Sequence, residues 1–204
     1  NTVGLSLAFD ILKRRNGWSN SDEVITTPLT FVSTNHAILQ NGLKPIFADV
    51  DEHLCLDPDS VESRITPSTK AVIFVGIGGN TGRLDKIQKI CKANNLKLIL
   101  DAAHMSGTFV NQSLHVGHEA DITVFSFQAV KNLPTADSGM ICFKDEEDFL
   151  NSYKEIDLAF DTFPTPGIIT TFEALWMGVP VITMKGFNLC SRAGESIMKN
   201  INMD

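Results

Sequence analysis

The sequence predicts an α/β fold, a mostly parallel sheet with helices on both faces, and three observations carry that prediction. Short apolar runs of four to six residues alternate with stretches of helical period, the pattern of repeated strand-helix units. The runs are continuously apolar, as in strands buried on both faces. Polar residues gather directly after two of them, where open α/β sheets hold their ligands.

Leu5, Ala8, Phe9 and Leu12 recur at helical spacing behind Thr2. Its hydroxyl is placed to cap the first free amides, so a helix is expected over 3–15. Apolar runs then predict strands at 23–26, 44–48, 71–75, 96–100, 122–127 and 139–143. Helical patterns fall between them at 31–41, 57–64 and 84–94. Asp101 and His104 thus come just beyond one strand, and Ser126, Gln128 and Lys131 at the end of another. Near Phe149 to Tyr153 the character changes, since three of the eight prolines fall in the last 54 residues. A boundary is placed there, giving domains 1–150 and 151–204.

Composition excludes several functions. With 204 residues, 43% of them hydrophobic, the chain can bury a core. The net charge of −7 and the lack of a basic stripe argue against nucleic acid as a partner. Cys55, Cys91, Cys142 and Cys190 stand 36, 51 and 48 residues apart without a CxxC pair. That spacing fits neither a zinc ribbon nor a disulfide framework, and a reducing cytoplasm is expected. No apolar run nears the ~18 residues of a membrane span, so no membrane association is expected. The chain opens on Asn-Thr in place of Met, directly before a helical pattern, and is read as a fragment or processed product.

Lys131 and Asp101 carry the chemistry. Desolvation at a buried strand end favours a neutral, nucleophilic lysine amine, which can condense with an aldehyde. A carboxylate at the neighbouring strand end can hold a pyridine nitrogen protonated, and the pair is what pyridoxal phosphate (PLP) requires. The plainer reading makes Lys131 a solvated loop lysine and Asp101 a helix cap. A competing motif, AVIFVGIGGNTG, imitates a dinucleotide fingerprint, yet Gly76, Gly78 and Gly82 spell GxGxxxG rather than GxGxxG. His115 and His118 lack a third metal ligand, which suggests a surface turn and no metal site. Asn111-Gln-Ser would be a glycosylation sequon only in a secreted chain.

The strings EVITTPLTFVSTNHAILQNGLKPIFADVD, ITPSTKAVI, LDAAHMSGT and VFSFQAVKNLPTADSGMI resemble the DegT/StrS family of PLP-dependent nucleotide-sugar aminotransferases over residues 1–148. The resemblance implies a fold-type I PLP large domain, glutamate as amino donor, and a keto nucleotide-sugar as substrate. Cell-surface polysaccharide or sugar biosynthesis is the setting it implies. The family's cofactor-bearing lysine falls on Lys131, its pyridinium aspartate on Asp101, and its phosphate serine on Ser126. Thr2 and Val3 match the helix start that also cradles the phosphate. Phe31 takes the place of the ring that stacks on the cofactor, and His104 or Gln128 would contact its O3′ side. Relatives with histidine in place of the lysine act as dehydratases, so Lys131 favours transamination. Three departures stand out: GGNTG at the turn near residue 79, TADSG after the lysine, and no sign of the family's small domain. A truncated large domain is therefore expected, a homodimer if complete, with a non-catalytic remnant as the rival reading.

The tail, over 153–198, resembles instead the catalytic lobe of O-linked N-acetylglucosamine transferases, most clearly at EALWMGVPV. Thr170 and Glu173 would there meet the diphosphate and ribose of a nucleotide, weakly, because Ile168 and Ile169 replace hydroxyl-bearing residues. Trp176, Leu175 and Val181 are expected to be plain core residues. A fusion or a frame junction near residue 150 would explain the two resemblances.

Overall fold

The computed structural model describes residues 1–111, 113–135, 138–161, 167–187 and 190–201. The chain divides into two compact units, Asn1–Asp145 and Glu146–Asp204.

The first unit is built on a six-stranded sheet. Its strands are β1 (Glu23–Thr26), β2 (Lys44–Phe47), β3 (Thr69–Val75), β4 (Lys97–Ala102), β5 (Ile122–Ser126) and β6 (Gly139–Phe143). They lie in the order β2-β1-β3-β4-β5-β6. The first five are parallel, and β6 runs antiparallel to β5. Helices α1 (Thr2–Asn16), α2 (Val32–Gln40), α3 (Pro58–Ser63) and α4 (Leu84–Ala93) cross between or precede the strands. Period-two alternation sorts the strand side chains to the two faces. Val72 and Phe74 join Val61, Leu84 and Ile87 of α3 and α4, whereas Ala71 and Ile73 join Leu5, Phe9, Leu12 and Ile38 of α1 and α2. Both faces are covered, which explains the unbroken apolar runs of the central strands.

Local signals explain where the helices begin and end. Thr2 is not the N-cap of α1. Asn1 holds that place because its carbonyl accepts the first intrahelical bond, from the Leu5 amide at 2.9 Å, and Thr2 is already helical. Gly17 ends α1 in the left-handed region at φ 64°, and basic residues Lys13, Arg14 and Arg15 fill the last turn, where the helix dipole favours them. In α3, Asp57 caps the Ser60 amide at 3.2 Å and Pro58 opens the helix.

Cys55 and Cys91 are buried free thiols, and burial pushes them up to about 11 and about 12, so neither ionises near neutrality. Among the described residues no helix is long and apolar enough to cross a membrane.

The second unit holds α5 (Glu146–Ser152), α6 (Ile169–Trp176), α7 (Ala193–Asn200) and a two-stranded parallel sheet of β7 (Ala159–Phe160) and β8 (Val181–Ile182). Ala174, Val179, Ile197 and Met198 are buried there, but Trp176 is 89% exposed. The expectation that Trp176 packs in a core is thus overturned. In α6 the interior goes to Thr171 and Ala174, three residues apart, and Trp176 falls off that stripe.

Phe74 is fully buried in the α3/α4 face. Phe74→Ala is expected to lower the unfolding free energy by about 3–5 kcal/mol in urea titrations, and an unchanged midpoint would show that this face is not packed as described.

Candidate active site

Strand parity assembles the site. On β4, Leu98, Leu100 and Ala102 face α3 and α4 while Ile99 faces α1 and α2, so Asp101 belongs to the α1/α2 face. On β5, Ile122 and Val124 share that face, and Ser126 follows in step. Asp101 is not beyond its strand as the sequence suggested. Parallel pairing of Asp101 with Val124 and of Ala102 with Phe125 keeps β4 in the sheet and draws the carboxyl inside.

Asp101 is 4% exposed. Its Oδ1 accepts from Asn1 Nδ2 at 3.3 Å and from the Ala103 amide at 3.2 Å, and its Oδ2 from Thr34 Oγ1 at 2.7 Å. Burial pushes this carboxyl above the usual carboxylate range, and these donors together with His104 pull against it. His104 Nδ1 accepts the Gly78 amide at 3.3 Å, so in the neutral ring Nε2 carries the proton. Burial, helped by the Lys131 charge, lowers the His104 pKa and favours that neutral ring.

Lys131 sits in the loop after β5. The Phe127 amide donates to the Ser138 carbonyl, and the Thr135 amide to the Phe127 carbonyl, each at 2.8 Å. Asn132 Nδ2 donates to the Ser106 carbonyl, and the Lys131 amide to the Gln128 carbonyl. These bonds fix the loop on both sides of the lysine.

A cavity of about 410 Å3 lies at these strand ends. Thr2, Phe31, Asp101, His104, Ser126, Gln128 and Lys131, all singled out by the sequence, border it. Val3 does not. One residue turns about 100° around a helix, and the Val3 side chain is 81% exposed beside a separate depression along β6. Phe31 is 75% exposed, so it is no core aromatic. Sequence reasoning missed Asn1, Thr30 and Thr34. The four-residue spacing of Thr30 and Thr34 at a helix start was the available signal.

The residues fit PLP. A buried carboxylate can pair with a protonated ring nitrogen, and a lysine borders the same cavity. Ser126 and the first α1 amides, which the helix leaves unpaired, offer donors to a phosphate. The exposed Phe31 ring offers a stacking face, and the volume falls within the ~300–1,000 Å3 of small-molecule sites.

The competing motifs receive structural explanations. A Cβ on Gly76 would stand 2.1 Å from Met105 Sδ, so glycine there lets the buried Met105 side chain pack against the backbone. His115 is tucked in: its Nε2 accepts the Gly107 amide at 3.0 Å and its Nδ1 donates to the Val116 carbonyl at 2.7 Å. Both ring nitrogens of His115 are therefore occupied, while His118 is exposed on the turn that follows, as expected. Among the described residues no group of three metal-ligating side chains exists. Gln112 of the sequon and Ala136 and Asp137 of TADSG lie outside the described residues. In the second unit Thr170 is exposed and Glu173 half-buried, and the Thr171 hydroxyl is spent on the Gly167 carbonyl at 2.9 Å.

Fold and donor set are those that a PLP-binding domain requires. Residues 1–153 match the DegT/DnrJ/EryC1/StrS aminotransferase family, and the chain belongs to it. That family is PLP-dependent. The spore coat polysaccharide biosynthesis protein SpsC of Bacillus subtilis is 43% identical over 147 residues, covering 72% of this chain and 36% of that protein. The UDP-4-amino-4,6-dideoxy-N-acetyl-beta-L-altrosamine transaminase of Helicobacter pylori is 34% identical over 129 residues, 63% of this chain and 34% of its own length. NtdA of Bacillus subtilis, solved with the cofactor PMP, superposes with a TM-score of 0.65 at 30% identity, over 80% of this chain and 38% of NtdA. The chain thus spans about a third of the length of the curated relatives it matches.

A carboxyl whose folded pKa is raised stabilises the fold fully only below its ordinary value, and that stability is lost as pH rises through the raised value. In Asp101→Asn the new amide can donate to Thr34 Oγ1 and its oxygen can accept from Asn1 and Ala103. This variant of the cofactor-free protein is therefore expected to melt above wild type at about pH 8 and to lose that advantage by about pH 4; a difference independent of pH would contradict the assigned burial cost.

Proposed function

We propose that the first unit is the cofactor-binding portion of an aminotransferase that passes an amino group from glutamate to the keto carbon of a nucleotide-linked sugar. The observation that carries the reading is the meeting of Lys131 and buried Asp101 at one cavity. Relatives named for a UDP-sugar transaminase and for spore coat polysaccharide biosynthesis support the substrate class.

When bound, PLP supplies an electron sink that neither substrate has. Lys131 Nζ is the amine that would hold the aldehyde and the base that would take and return a proton. Asp101 keeps the ring nitrogen protonated, because an ionised carboxylate in a water-poor site favours a cation beside it. Ser126, Thr2 and the first amides of α1, Val3 included, hold the phosphate. Phe31 would stack on the cofactor ring, and His104 or Gln128 would contact its O3′ side. The open cavity and the exposed Phe31 and Val130 beside it fit a homodimer in which a second copy covers the site. Among the described residues the free thiols of Cys55, Cys91 and Cys142 suit the cytoplasm.

For the tail we propose at most a weak nucleotide site at Thr170 and Glu173, since glycosyl transfer has only the sequence string behind it.

Lys131→Ala is expected to abolish the borohydride-fixed PLP adduct seen by mass spectrometry while leaving the circular dichroism unchanged; an adduct on another lysine would refute the assignment. Calorimetric titration with UDP should give a Kd no tighter than about millimolar, near −4 kcal/mol. Micromolar binding lost in Glu173→Ala would instead make the tail a working nucleotide site.

A further inference from the structure

Behind Asp101 lie two hydroxyls that the reading above leaves without a task. Thr34, fully buried in the first turn of α2, has its Oγ1 2.7 Å from Asp101 Oδ2, and it is the sole donor to Oδ2 among the described residues. Thr30 Oγ1 lies 2.8 Å from Thr34 Oγ1 and borders the cavity. The direction of the second bond follows from the first. A carboxylate only accepts, and Thr34 has one hydroxyl proton. With Asp101 ionised, Thr34 gives that proton to Oδ2, so Thr30 must give its own to Thr34. The chain then runs from the cavity wall inward to the buried charge, each bond polarising the next. Protonation of Asp101 reverses it: Oδ2–H donates to Thr34, and Thr34 turns its proton to Thr30. Charge at Asp101 and direction of the chain are one equilibrium.

We propose that Thr34, backed by Thr30, is a positioning residue that holds Asp101 ionised and fixes the plane of its carboxylate toward the cofactor's ring nitrogen; the inference rests on the PLP reading above. The bond from Thr34 is the shortest of the three that Asp101 accepts, against 3.3 Å from Asn1 and 3.2 Å from Ala103. A donor to an ionised acceptor favours the ionised form and is stronger than a neutral pair. Among the described residues, the titratable side chains that share this cavity with Asp101 are those of His104, on the turn after β4, and Lys131. From α1 and α2 it receives Asn1 and Thr34, whose side chains carry no charge.

Threonine and valine are nearly isosteric, so Thr34→Val removes the hydroxyl and little else. PLP affinity is expected to fall about tenfold to a hundredfold, the loss that removing a hydrogen bond to a charged group produces. The pH midpoint of the bound cofactor's visible band should also rise. A less firmly ionised Asp101 leaves the ring nitrogen less protonated, and an uncharged ring withdraws electrons less from the group attached to Lys131, which keeps its proton to higher pH. Thr34→Ser should restore both values, and Thr30→Val should move both in the same direction by less. If Thr34→Val does not fold, Thr30→Val and Thr34→Ser decide, and a wild-type midpoint in Thr30→Val overturns the proposal. Wild-type affinity and midpoint in a folded Thr34→Val overturn it too, as does a Ser variant as impaired as the Val one. Failure of the unsubstituted protein to bind PLP would overturn the cofactor reading itself, and this inference with it.

Discussion

Burying one carboxyl, that of Asp101, is the constraint on which the rest of the site depends. An ion taken out of water needs donors on every side, and the fold supplies them from three separate elements: Asn1 before α1, Thr34 in α2 and the Ala103 amide at the end of β4. Those elements can converge only because strand parity puts Asp101 on the face that α1 and α2 cover. The arrangement destabilises the fold near neutrality in exchange for a charge that can meet a cationic ring, the kind of local conflict that functional sites retain.

Much of this was legible in the sequence. Six apolar runs gave six strands, within two residues at each end, and for the central β1, β3, β4 and β5 the reason is burial on both faces, which leaves little polar interruption. The strand ends singled out Lys131, Asp101 and Ser126, the family pattern added Phe31, and all four border one cavity. What escaped notice depends on three-dimensional parity. Thr34 looks like an ordinary helical threonine until β4 places Asp101 opposite it, and Val3 looks like a neighbour of Thr2 until the helix turns its side chain away. Asn1 as N-cap could not be separated from Thr2, since both residue types serve that role.

The second unit shows the opposite balance. Leu175, Trp176 and Val181 of its string EALWMGVPV were expected in a core, yet Trp176 is 89% exposed and Leu175 and Val181 are only half-buried. A short helix beside a two-stranded sheet has too little surface to cover a broad apolar face. Residue identity alone therefore said little about burial there, whereas in the first unit six strands made identity and burial agree.

The central claim is that a charged Asp101 and Lys131 share one PLP molecule. The most direct measurement is nitrogen-15 NMR of the protein loaded with PLP labelled at the ring nitrogen. The account predicts a ring nitrogen protonated at neutral pH in the unsubstituted protein and unprotonated in Asp101→Asn. A ring nitrogen equally protonated in both, or one unprotonated in the unsubstituted protein, would contradict it.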